Sequence, residues 1–253
     1  MYMFSYKVGV RNELSKLIAR RKMIILPGIL LLFPVAAAIL LSQLQTGIGI
    51  AAISTGDFPQ LMLGIFTNFF LPLLIFMAAA DLFAGEVQDR TLKLTLTRPI
   101  SRFQVFASKF TVLVLYALAI LAATLVVSLL AGLALQARAS GIGEAVMKAF
   151  VSYGIAWVPM VALAAAAALL AQFFRSASGA LAIAIILYMA FKGLGLFYPQ
   201  ITAYSPTFYT DWHELWINSA VSAGRLFNAS SYLLACCILC FTAAFAMFDK
   251  RQL

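Results

Sequence analysis

The sequence predicts an all-helical protein that crosses a membrane six times, with an amphipathic helix lying in the interface at its N-terminus and a short helix between spans two and three. Three observations predict this class. Hydrophobic residues fill 64% of the 253 positions and charged residues only 11%, too much apolar surface for a soluble core to hide. Apolar runs of about 20 residues, the length that crosses a hydrocarbon core of roughly 30 Å as a helix, recur along the chain. Lysine and arginine gather at the ends of those runs, where they set topology and hold anionic headgroups.

In chain order, residues 4–22 come first. Phe4, Val8, Val10, Leu14, Leu17 and Ile18 gather on one side of a helix, with Glu13, Lys16 and Arg20 expected opposite, the pattern of an interfacial helix. The basic stretch is too long, and the apolar run behind it too full, for a cleaved leader, so this segment is expected to be retained. The spans are expected at 23–43, 61–83, 106–135, 149–174, 178–198 and 230–248, within one transmembrane domain covering 1–253. Between the last two spans, residues 199–229 carry Asp211 and Glu214 at cap spacing and Phe208, Trp212 and Trp216 every four residues, predicting a short helix with an aromatic face at the opposite surface.

Orientation follows from the positive charge. Of 18 Lys and Arg, 14 fall in the N-terminal segment, the loop after span two, the turn after span four and the C-terminal end. The opposite loops hold only Arg138, Lys148 and Arg225, so both termini are expected in the cytoplasm. Lys192 is left inside span five. The net charge of +9 does not form the basic stripe of a nucleic-acid binder, and no nucleic-acid partner is expected.

Catalytic and metal chemistry finds little to work with. His213 is the only histidine, no glycine-rich phosphate loop ending in Lys-Ser or Lys-Thr occurs, and Cys236, Cys237 and Cys240 lie together in the last span as small hydrophobes. No catalytic residue, metal site or cofactor is expected in this chain. A membrane-embedded enzyme would need clustered catalytic groups.

The loop after span two is the most organised polar element. Glu86 with Arg90 and Asp89 with Lys93 are acid-before-base pairs one helical turn apart, and Leu92 with Leu96 share a face. Pro99 ends that helix. Ser101 with Gln104 forms a capping box, and Ile100 can staple onto Val105, so a second helix starts at once and runs into span three.

Gly85-Glu86, Arg90-Thr91-Leu92-Lys93, Leu96, Arg98-Pro99-Ile100-Ser101-Arg102 and Lys109 resemble the signature of ABC-2 type permeases, the membrane subunits of a class of bacterial ABC exporters. The likeness is most specific over 84–110, and it departs from the family at Arg90 and Ser108, where glycine is common. The resemblance implies that 84–110 is a cytoplasmic coupling region docked on a separate ABC ATPase. ATP and Mg would be held by that ATPase, and a second permease copy would complete a homodimer in the inner membrane. By the same resemblance Glu86, Arg90, Thr91, Leu92, Lys93, Arg98, Ser101 and Arg102 are the docking residues. Leu92 and Leu96 would give apolar contact, and Pro99 with Ser101 the elbow to span three.

Within the membrane, Lys192 and Asn68 are the candidates for a substrate path, although Lys192 has a stem long enough to reach the interface. Asp81 is expected at the interface. The competing class is a secondary transporter or channel without an ATPase, which would need several intramembrane charges or a repeat.

Overall fold

The computed structural model describes residues 2–48, 57–89, 101–135, 142–197, 206–217 and 223–250, and among them every regular element is helical. An N-terminal helix, α1, runs Tyr2–Ala19. Six helices long and apolar enough to cross a membrane follow: Lys22–Leu44, Phe58–Gln88, Arg102–Ala134, Gly143–Gln172, Ala177–Gly195 and Gly224–Lys250. Each expected span lies on one of these helices to within a residue or two, but most helices run on beyond it. A 31-residue helix rises about 46 Å at 1.5 Å per residue, well past the hydrocarbon core, so the ends of spans two, three and four stand in the headgroup layers.

Spans two and four are the most buried and form the axis of the bundle. Span four packs on spans two, three and six, and α1 lies against span three. The run Ala162–Ala168, with Ala164, Ala165 and Ala168 fully buried, lets neighbouring backbones approach span four closely. Spans one, five and six turn Ile25, Ile29, Ile186, Leu234 and Leu239 outward, the surface that lipid tails cover in a membrane protein.

Prolines shape the spans, and tyrosines from neighbouring helices complete them. A helical proline cannot donate to the carbonyl four residues earlier, and in lipid that carbonyl needs another donor. Pro27 releases Met23, whose carbonyl accepts the Tyr116 hydroxyl at 3.3 Å. Pro72 releases Asn68, whose carbonyl accepts the Tyr188 hydroxyl at 2.7 Å. Span two is also wound wide over two stretches, Phe66–Phe70 and Ala80–Gly85, where each N–H reaches back five residues, as Leu71 does to Phe66. Each wide turn lies beside one of the two polar clusters.

At the end of the bundle that carries α1, an aromatic stack joins three spans. Phe106 of span three lies within 6 Å of Phe83 of span two and of Phe241, Phe245 and Phe248 of span six. The base of span three is thereby wedged among its neighbours, and it is the base from which the 86–102 loop departs.

Candidate functional site

The first polar cluster lies beneath α1. Lys109 is wholly buried in span three, and its Nζ lies 2.6 Å from Glu13 of α1 and 2.7 Å from Glu86 at the end of span two. Lys16 pairs with the same two carboxylates, at 2.8 and 3.1 Å. Two acids and two bases thus alternate across three elements, which removes the cost of burying any one of them alone. Burial alone would raise the Glu13 pKa, but Lys109 and Lys16 override it and hold the carboxyl below its ordinary range. Burial likewise opposes the charged form of Lys16, and its hydrogen bond to Glu13 together with the Glu86 charge raises its pKa nonetheless.

One turn along, Asp81 accepts Arg20 at 3.1 Å and Lys22 at 2.8 Å, and Arg20 also reaches Asp89 at 3.6 Å. Two expectations are corrected here. Glu13 is not on an outward polar face; it lies in the buried stripe Val10, Glu13, Leu14, Leu17, because two lysines meet it there. Asp81 is not snorkelling to the interface but is buried under the junction of α1 and span one, neutralised by two bases.

The coupling residues are distributed unevenly. Glu86 is 5% exposed and its carboxylate faces Lys16 and Lys109, so it braces the root of the loop instead of standing out on its surface. Ser101 sits at the start of the next helix, its Oγ accepting the Gln104 N–H at 3.3 Å, the N-cap half of the expected box. Arg102 donates to the Asp249 backbone carbonyl at the end of span six, with the Asp249 carboxylate 4.0 Å away. Arg90, Thr91, Leu92, Lys93, Leu96, Arg98 and Pro99 lie outside the described residues.

The second polar cluster sits at the other end of span two. Asn68, in the first wide turn, accepts Lys192 Nζ and Thr210 Oγ1 on its Oδ1, and its Nδ2 donates to Asp211. Lys192 also donates to Thr210 at 2.9 Å and lies 5.8 Å from the Phe208 ring. The two path candidates read from the sequence are therefore brought into contact, and Lys192 ends under a cap of protein instead of in open headgroups. That cap is the tight turn Pro206–Asp211 followed by the short helix Trp212–Ile217. The expected short helix is present. Its aromatic face is divided, with Trp212 buried against Ala162 and Leu233 and Trp216 half-exposed. Asp211 is engaged by Asn68. Gly195 is where span five meets this cap: a Cβ there would stand 1.8 Å from Phe208 Cζ, so only glycine allows the close approach.

Sequence reasoning missed Glu13, Asp81 and Asp211 as cluster members. Glu13 carried a legible signal, since an acid three residues after Val10 and four before Leu17 falls on the apolar stripe. Asp211 carried none, because its partner Asn68 is 143 residues away.

A family model for ABC-2 family transporter proteins matches residues 10–193, which takes in the first cluster together with Asn68 and Lys192, but not the 206–217 cap. No curated protein matches the chain.

Proposed function

The chain belongs to the ABC-2 family of transporter proteins, and from that premise we propose that it is the permease subunit of a bacterial ABC exporter. In this reading a separate ABC ATPase hydrolyses ATP with Mg, docks on the 86–102 loop and drives two copies of this chain to alternate access across the inner membrane. Both termini and the loop face the cytoplasm, as the 14 basic residues on that side favour.

The observation that supports coupling most directly is the ion pair between Glu86 and Lys109, 2.7 Å apart. These residues stand at the two roots of the docking loop, one on span two and one on span three. A push on the loop then reaches both spans together, and α1 with them through Glu13, instead of being absorbed by a hinge. The Phe106 stack and the Arg102 bond to Asp249 carry the same base to span six.

The chain has no phosphate loop, so purified alone it should hydrolyse no ATP, and expressed with its genomic neighbours it should bring an ATPase through purification. ATP hydrolysis by a preparation free of any P-loop protein would overturn the reading, and so would transport in vesicles that needs no ATP. In intact cells, with the three native cysteines removed, a cysteine at Ser205 should react with an impermeant thiol reagent and one at Gln88 should not.

A further inference from the structure

The cap over span two encloses a cavity that is not used by the coupling machinery. It has a volume of about 440 Å³ and is lined on its polar side by Gln60, Asn68, Asp211, His213 and Glu214, with Phe69 among its apolar walls. Asp211 and Glu214 bring two carboxylates to it, and among the described residues neither has a lysine or arginine within ion-pair distance. The Lys192 ammonium reaches Asp211 only through the Asn68 amide, which offsets one negative charge and leaves one.

Two buried nitrogens on the same wall also lack partners. Gln60 Nε2 donates to nothing, and His213, 2% exposed, has no hydrogen-bond partner at Nδ1. A buried amide N–H without an acceptor is costly, and an oxygen on a bound molecule would satisfy it. Phe69 is 55% exposed and offers a ring face to the cavity mouth, where apolar matter or a cation can rest. The size lies in the range of small-molecule sites.

We propose that this cavity binds an amphipathic organic ammonium ion that carries an acceptor oxygen beside its nitrogen, an amino alcohol in the simplest case. The ammonium sits between Asp211 and Glu214, the oxygen accepts from Gln60 Nε2, and the apolar part lies along Phe69. The site goes beyond the permease assignment and needs neither ATP nor an ATPase, so it can be tested on this chain alone.

The full chain in phosphatidylcholine nanodiscs is titrated with phenylalaninol, and the fluorescence of Trp212 and Trp216, which lie on the same short helix, is followed. Saturable binding is expected. Phenethylammonium, which lacks the hydroxyl, should bind several-fold more weakly, and 3-phenylpropanol, which lacks the charge, should show no saturation. Glu214→Gln and Asp211→Asn should each weaken phenylalaninol about tenfold or more, the loss of one charge-assisted hydrogen bond. Gln60→Leu should abolish the preference for phenylalaninol over phenethylammonium. Because Glu214 is exposed, Glu214→Gln should leave the unfolding midpoint unchanged and so separates binding from folding. Absence of saturable binding, equal binding of the neutral alcohol, full competition by sodium or potassium ions, or unchanged affinity in both carboxamide variants would each overturn the proposal. None of these results would touch the permease reading.

Discussion

Lys109→Met should lower stability by about 3–5 kcal/mol, the largest loss expected from any single polar substitution in this chain, measured as the unfolding midpoint of the full protein in nanodiscs. The reason is the company Lys109 keeps. Its wholly buried ammonium is all that stands between the Glu13 and Glu86 carboxylates, which are themselves almost fully enclosed. Removing it leaves two like charges facing each other in a site of low dielectric, with only the partly exposed Lys16 to offset them. The triple variant Glu13→Gln, Glu86→Gln, Lys109→Met removes the charges together and should recover most of the loss, since neutral side chains of similar size fill the same space. A Lys109→Met midpoint equal to that of the parent would show that the cluster is solvated and holds nothing.

The pH profile of that stability has a fixed sense. Glu13 has a lowered pKa, so its contribution is complete above the ordinary carboxyl value of 4.5 and is lost as pH falls through the lower folded value. Lys16 has a raised pKa, so its contribution is complete below the ordinary 10.5 and is lost as pH rises through the higher folded value. Between these limits the brace should be insensitive to pH.

Leu92→Asp should release the partner ATPase, weakening its association by on the order of 2–4 kcal/mol, or roughly thirtyfold to a thousandfold. Leu92 and Leu96 are the apolar members of the docking helix expected at 86–98, and a carboxylate at the centre of such a contact must be desolvated without a partner. Arg98→Glu should act in the same direction through charge. Arg102 is a poorer probe, because its bond to Asp249 ties it to span six and a reversal there would also disturb the bundle. Lys250→Glu, at the exposed end of span six, controls for the general loss of cytoplasmic positive charge and should do much less. The readouts are co-purified ATPase and ATP-dependent transport, with insertion of all six spans checked separately. Full association and transport in Leu92→Asp would reduce the loop to a topology determinant and remove the main support for coupling.

How much was legible follows from the range of each interaction. The spans could be read because twenty apolar residues in a row have one stable place, and the cap at Ser101 because it is settled within four residues. The family could be read from residues 84–110, a contiguous stretch. What could not be read were pairings between distant elements. Nothing near Lys109 announces Glu13, 96 residues earlier, and the outward placement of Glu13 failed because periodicity sorts residues by polarity while a buried lysine overrides that sorting. Lys192 and Asn68 could be named separately as unusual. Their contact, through a wide turn and a Thr210 hydroxyl arriving from beyond span five, needed the fold.

Span two is bounded near both ends by a turn that holds one residue more than ordinary helical winding requires. Such a turn is slack in the thread. If one tightens while the other loosens, Leu71–Ala79 between them rotates by about 100°, the angle of a single residue, while Asn68 and Glu86 keep their partners at the two ends. The most deeply buried helix of the bundle is then a shaft mounted in two bearings. The prolines and tyrosines around it hold the bearings in place without gripping the shaft.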